Sequence, residues 1–294
     1  MQISWLFSAA ILAALVLSQP IAQAGFFQKK KPDSALTISR DASGEKVVVS
    51  WTGGGVLRQA ASLKGKTRLL HKGRAMRRNV YMATATAGQT IFSVEEGGSG
   101  GGANSYSANA VGYVNLKLPP GLSLIANPLI HPDNSIAYWF STAPDGCQIY
   151  KLDPTGNYEV ATFDGLQQQW SNPGLAIPLG VGFYFYNPSA TTYTVVFVGE
   201  VAQGQLINPL PAGISTKGSL VPQFGSINTL HHIPGEPGDQ IQVYINDLAG
   251  GGAYQSSVYT AGEGWVPDLI LQVGQGFWIE KQNSQDWVRG FFVN

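Results

Sequence analysis

The 294-residue sequence predicts an all-β protein: a small N-terminal β-sandwich, then two tandem homologous β units of about 90 residues, sandwich or barrel-like. Three observations predict it. Short β-branched or alternating runs are punctuated by Gly, Pro-Gly and Asn-Pro, the pattern of strands joined by tight turns. Gly (36) and Pro (17) make up 18% of the chain while only 12% is charged, which argues against long helices and coiled coils. A set of ordered motifs recurs at offsets of 92 to 96 residues, the mark of a repeated structural unit. With 44% hydrophobic residues the chain can build a core, so full disorder is excluded.

Residues 3–17 form an apolar run of signal-peptide length, broken by Pro20 and followed by the small-x-small site Ala22-Gln23-Ala24. Cleavage before Gly25 is the natural reading; retention as an uncleaved N-terminal anchor is the alternative, because no Lys or Arg precedes the run. No later stretch approaches 18 apolar residues, so no transmembrane segment is expected in the mature chain. Residues 25–34 read as a basic arm.

From 35 to 96, Leu36-Thr37-Ile38-Ser39, Val47-Val48-Val49-Ser50-Trp51, Val56-Leu57, Val80-Tyr81-Met82-Ala83-Thr84 and Thr90-Ile91-Phe92-Ser93-Val94 are the expected strands of the small sandwich. Residues 97–103 are a Gly-rich linker by composition. Units 104–200 and 201–294 follow. In the first, strands are expected at 113–118, 123–125, 148–152, 159–163, 182–186 and 193–198, with a short helix or turn at 135–141.

The duplication rests on paired anchors. Leu118-Pro119-Pro120-Gly121 recurs as Leu210-Pro211-Ala212-Gly213, and Gly146, Gln148 and Ile149 as Gly238, Gln240 and Ile241. Gly156-Asn157-Tyr158 matches Gly252-Ala253-Tyr254, and Trp170 matches Trp265. Gly180-Val181-Gly182-Phe183-Tyr184 matches Gly274-Gln275-Gly276-Phe277-Trp278, and Phe197-Val198 matches Phe292-Val293. Glycines ahead of a strand allow a bulge or a close backbone approach, and the aromatics after them pack across a sheet. At Ala126-Asn127-Pro128 the second unit has Gly218-Ser219-Leu220, so its first strand pairing is expected to differ.

The motif LTISR…VVVSWTGGGVLRQAASLKG, with its Ser50-Trp51 strand and Gly turn, resembles small fibronectin-like sandwich modules of large secreted proteins of environmental bacteria, a match that covers roughly 35–96. The segments GYVNLKLPPGLSLIANPL and GVGFYFYNPS resemble an uncharacterised exported repeat, often in tandem, that covers roughly 110–294. The resemblance implies export, modular surface architecture and a bacterial source. It carries no catalytic residue that could be transferred.

The formal net charge of zero hides a split. Residues 25–96 hold 13 Lys and Arg against 5 Asp and Glu, a net of +8; residues 97–294 hold 5 against 13, a net of −8. Lys64, Lys66, Arg68, Lys72, Arg74, Arg77 and Arg78 form the densest cluster, which either is a solvated face or draws an anionic surface, an acidic glycan or the acidic half of another copy. Nucleic acid fits the charge, but no recognised motif is present and export argues against it.

Catalytic and cofactor patterns do not emerge. The sole cysteine, Cys147, leaves no intrachain disulfide and reads as a half-buried strand thiol. Of the four histidines, His231 and His232 are adjacent and on a strand would face opposite ways; His71 and His131 stand alone, and no zinc spacing occurs. Gly97-Gly98-Ser99-Gly100-Gly101 fits a nucleophile-elbow string but lies in the linker rather than between strand and helix. The Gly-x-Gly pairs lack the third glycine of a dinucleotide site. Asp145, Asp153, Asp164, Asp239, Asp247 and Asp268 sit mostly beside Gly, Pro or Asn, where aspartate caps turns. A glycosidase pair could be assembled from them, but no spacing selects two. Calcium at a turn such as Asn246-Asp247 is the remaining metal option. No cofactor is expected.

Binding is the better prospect. Tyr138, Trp139 and Phe140 stand in succession, and on a strand all three cannot face inward; with Tyr184 and Trp278 they are candidates for stacking on a glycan. The sequence thus points to an exported non-enzymatic structural, adhesion or surface-interaction protein. A carbohydrate-binding accessory protein, a charge-driven self-assembling protein and a secreted hydrolase are the alternatives.

Overall fold

Alternation organises the first strands: in the run Lys46–Thr52, Val47, Val49 and Trp51 turn inward while Lys46 and Thr52 face solvent. The computed structural model describes residues 35–41, 46–62, 68–72, 78–85, 88–96, 105–106, 109–246 and 252–293. The signal-peptide segment, the basic arm and the 97–103 linker lie outside the described residues.

The N-terminal strands are β1 (Leu36–Arg40), β2 (Lys46–Thr52), β3 (Val56–Ala60), β4 (Arg68–Lys72), β5 (Arg78–Thr84), β6 (Gln89–Glu96) and β7 (Ser105–Tyr106). Next come β8 (Val111–Leu118), β9 (Gly121–Ala126), helix α1 (Ile136–Trp139), β10 (Gln148–Leu152), β11 (Tyr158–Asp164), β12 (Gln169–Trp170), β13 (Gly182–Asn187) and β14 (Tyr193–Glu200). The last stretch holds β15 (Gly204–Leu210), β16 (Gly213–Gly218), β17 (Gly225–Ser226), β18 (Gln240–Asn246), β19 (Gly252–Thr260), β20 (Gly264–Val266), β21 (Ile270–Leu271), β22 (Gly276–Lys281) and β23 (Gln285–Phe291).

The fold is all-β and sandwich-type, with several separate sheets and no closed barrel among the described residues. A three-stranded sheet, β1-β2-β5, covers a six-stranded sheet of order β14-β8-β6-β3-β4, with β7 pairing β6. Strands on either side of the linker therefore share one sheet. They share one core as well: Leu36, Val49 and Trp51 belong to the same buried cluster as Phe92, Val114, Phe140, Phe183 and Phe197. A second cluster, Leu210 to Trp287, fills the last stretch alone. No helix among the described residues is long and apolar enough to cross a membrane.

Residues 111–200 and 204–291 wind along the same path. The five-stranded sheet β12-β11-β10-β13-β9 has its counterpart in β20-β19-β18-β22-β16, and the pair β14-β8 in β23-β15. Registers agree too. Gly182 opposes Ala126 as Gly276 opposes Gly218, so the substitution of Gly218-Ser219-Leu220 for Ala126-Asn127-Pro128 does not alter the pairing expected to differ there. Trp170 donates its indole N–H to the Phe140 carbonyl (3.1 Å), and Trp265 donates to the Ile233 carbonyl (2.8 Å). One sequence anchor shifts. Tyr193 opposes Leu118 and Gln285 opposes Leu210, so Phe197 occupies the place of Arg289, three residues before Phe292.

The short helix or turn expected at 135–141 is α1 with Phe140 as its C-cap, so the strand geometry weighed for Tyr138, Trp139 and Phe140 does not apply. Ser135 caps α1 by accepting the Tyr138 N–H (3.2 Å), and the helical turn sends Trp139 and Phe140 together into the core, both fully buried. Tyr138 stays half-buried, stacked on His131 with its ring beneath the Arg40 guanidinium.

Candidate functional site

The Gly-x-Gly-aromatic segments meet each other at the seam between the two five-stranded sheets. Gly180 (φ +77°) and Gly274 (φ +71°) sit in the left-handed region that favours glycine and turn the chain into β13 and β22. Two residues on, Gly182 and Gly276 bring backbone against backbone: a Cβ at Gly182 would lie 2.9 Å from Lys217 N and O, and one at Gly276 2.8 Å from Ile125 O. The contacts are reciprocal. Ala126 N–H donates to the Gly274 carbonyl (2.8 Å), and Gly218 N–H donates to the Gly180 carbonyl (2.9 Å). Isolated bridges join Ile125 to Gln275 and Val181 to Lys217. Ala126 and Gly218 occupy matching places and face each other; a Cβ on Gly218 would come 2.2 Å from the Ala126 methyl. A single methyl fits at that crossing.

Aromatic side chains fill the seam. Trp278 Nε1 donates to the Tyr184 hydroxyl (2.6 Å), which also shares a hydrogen bond with the Tyr254 hydroxyl. Tyr244 packs on both Tyr184 and Tyr254. Burial and the bond to Tyr254 push the Tyr184 hydroxyl well above the ordinary phenol range, so it stays protonated. Of the expected stacking residues, the structure thus brings Tyr184 and Trp278 together but buries Tyr184 almost wholly. Trp139 and Phe140 are closed off in the core, so neither can stack on a ligand. The exposed rings of the seam are Tyr158 (45% exposed) and Tyr254 (48%), at matching places of the two halves. Their sequence signal was the Gly156-Asn157-Tyr158 anchor, read only as a repeat mark.

Beside the seam lies a cleft of about 820 Å³, lined among others by Lys117, Ser123, Thr194, Tyr244, Asn246 and Gln275. A neighbouring cleft of about 580 Å³ shares Gly88, Asn115, Leu116, Gln272 and Val273 with it and is lined by the exposed Phe224. The lining consists of amides, hydroxyls and apolar groups, with Lys117 as its one charge among the described residues. Such a surface can hydrogen-bond a polar ligand.

Arg68 and Lys72 lie exposed on β4, an edge of the six-stranded sheet, and Arg78 lies exposed on β5, an edge of the three-stranded sheet. Lys64, Lys66, Arg74 and Arg77 lie outside the described residues, as does Asp247 of the calcium option. Among the described residues no three His, Cys, Asp or Glu side chains converge on a metal position. The aspartates do local work. Asp145 accepts from Gly165 N–H, Asp164 from Leu166 and Gln167 N–H, Asp268 from the Ser226 hydroxyl, and Asp153 from Thr155 and Asn157, which holds the Asp153 carboxyl below its usual range.

Asp239 does more than cap its turn. It forms a wholly buried ion pair with Lys281, whose ammonium also donates to Gln285 Oε1 (2.6 Å), while the carboxylate accepts from Gln282 N–H (2.7 Å) and Glu236 N–H (2.8 Å). The partners are far apart in sequence and join only because β18 and β22 are neighbours, so local reading missed the pair. Cys147 is fully buried, and desolvation, then Asp145, pushes its thiol up to about 12, which keeps it from acting as a thiolate at neutral pH.

Comparison with protein-family models, with curated proteins and with solved structures found no match.

Proposed function

We propose that this chain is an exported, non-enzymatic structural or adhesion protein of the bacterial surface or its surroundings, built from a fibronectin-like module and two copies of one β unit, whose cations meet an anionic polymer. The observation that carries the reading is the exposure of Arg68, Lys72 and Arg78 on edge strands of a framework locked by backbone hydrogen bonds across the seam. A rigid block with its positive charge on strand edges suits attachment to a repeating, negatively charged surface better than turnover of a small substrate. The apolar run at residues 3–17 and the small-x-small site before Gly25 support export.

A second reading, binding of a neutral polysaccharide, draws on the amide-rich cleft and the exposed Tyr158, Tyr254 and Phe224. Affinity electrophoresis of residues 25–294 in gels containing alginate or dextran separates the two. Retardation by alginate that fades between ~0.1 and ~1 M salt, where the screening length drops from about 10 to about 3 Å, supports the first. Salt-independent retardation by dextran supports the second, and no retardation by either defeats both.

A further inference from the structure

The two halves differ at one strand edge. In the first half, the outer edge of β8 is occupied: β6 pairs with it over Val111 to Val114, and Asn115 N–H donates to the Gly88 carbonyl (2.8 Å). In the second half, β15 takes the place of β8 but belongs to a two-stranded sheet with β23 alone, so among the described residues nothing occupies the matching edge. By register Ile207 stands where Asn115 stands, and Gln205 where Tyr113 stands. Their N–H groups therefore point away from β23. Ile207 (52% exposed) and Gln205 are open to solvent. Pro209, which has no N–H to offer, stands where Lys117 stands, past the Gly88 end of the stretch that β6 covers in the first half. The edge at 204–207 is thus able to take a strand, and the proline closes it beyond.

On the face that carries Ile207, the surface next to that edge holds Val288 and Pro209 with the charge of Asp286 paired to Pro209; Arg289, paired to Leu206, belongs to the opposite face, where its guanidinium donates to Ser219, Gln223 and the Leu230 carbonyl. Among the described residues no strand pairs the outer edge of β4, the last strand of the six-stranded sheet, which carries Arg68 and Lys72 around Leu69 (47% exposed). Strand β4 belongs to the half of the sequence with net charge +8, and β15 to the half with −8.

We propose that β4 of a second copy adds to the open edge of β15, so that copies associate head to tail, with main-chain hydrogen bonds supplying cohesion and the Arg68 and Lys72 charges facing Asp286 supplying polarity. The arrangement is heterologous, since the two edges differ, and each added copy presents a fresh β4 edge and a fresh β15 edge, so that association runs on into a ring or an open chain of copies. It rests on the matching of the two halves and not on the attachment to polymer proposed above.

Sedimentation velocity on residues 25–294 tests it, with wild type, Ile207→Lys on β15, and Arg68→Glu/Lys72→Glu on β4. The expected result is concentration-dependent association of wild type at ~0.1 M salt that recedes at ~1 M, and a tenfold or greater weakening in each variant. Circular dichroism and thermal unfolding of the variants should match wild type, because the altered side chains are exposed. Wild type that stays monomeric at every concentration overturns the proposal, and so does association that either variant leaves unchanged. A monomer that still binds alginate overturns the strand addition alone and leaves the attachment reading standing.

Discussion

The two matched halves keep the same strand path with different chemistry at their sheet ends. In the first, Cys147 immediately precedes β10 and Asn187 ends β13: a buried thiol at one sheet end and an amide that donates to the Leu118 and Thr191 carbonyls. In the second, the corresponding places hold Asp239 and Lys281, a buried ion pair with its remaining donors and acceptors met. The seam tolerates no such freedom, since both halves need glycine where their backbones touch. The lesson is that the path is set by turns and backbone contact, while the buried polar end of each sheet is open to more than one solution, provided it is complete.

The largest expected effect comes from making one of those solutions incomplete. Lys281→Met strands a buried carboxylate and should lower stability by ~3–5 kcal/mol at pH 7, read by denaturant unfolding. Asn187→Leu, which removes four neutral hydrogen bonds from the first half, two donated to the Leu118 and Thr191 carbonyls and two accepted from Ser189 at a partly exposed turn, should lower it less, by ~1–3 kcal/mol. Installing the first half's pair in the second, Asp239→Cys with Lys281→Asn, should regain most of the loss of Lys281→Met. If the double variant is as unstable as the single one, the two sheet ends are not interchangeable and the comparison breaks.

A smaller difference is one of pH. The first half lines its core with Trp139 and Phe140 on α1; the matching turn of the second half does so with His231 and Ile233. Desolvation, followed by the charge of Arg289 and of His232, lowers the His231 imidazole to about 4. A histidine whose folded value lies below its unfolded one is held neutral by the fold. Its contribution is whole above about 6.5 and is lost as pH falls towards about 4, up to ~3 kcal/mol by linkage. Stability measured from pH 7 to 4 should fall accordingly, and His231→Phe should flatten that fall. An unchanged profile in the variant would place the acid sensitivity elsewhere.

The sequence carried the all-β class, because glycine-punctuated alternation survives wherever a sheet has one wet face. It also carried the glycine pairs as points of close approach, since no other residue permits both the turn and the contact. It did not carry β4. On an edge strand where only Leu70 reaches the core, Arg68-Leu69-Leu70-His71-Lys72 has no alternation to read, and charge alone described it. The short helix or turn at 135–141 was legible, but its consequence for the stacking candidates was not: a single helical turn buries the neighbours Trp139 and Phe140 at once and leaves only Tyr138 half-exposed. The Asp239–Lys281 pair and the Tyr184–Trp278 contact join residues that only the sheet order and the seam bring together, so neither had a local signature.

The seam allows the sharpest test of how alike the halves are. Ala126 and Gly218 face each other at matching positions, and the space admits one methyl. Gly218→Ala should therefore lower stability by ~1–3 kcal/mol through overpacking, although the same side chain is native at position 126. Adding Ala126→Gly moves the methyl to the other side of the crossing and should restore most of that loss, a coupling of the kind expected for residues in contact. Gly290→Ala, where a Cβ meets nothing within 4 Å, is the control and should change little. If the double variant recovers, the crossing treats its two sides alike; if the losses simply add, the reciprocity of the backbone contacts does not extend to the side chains between them.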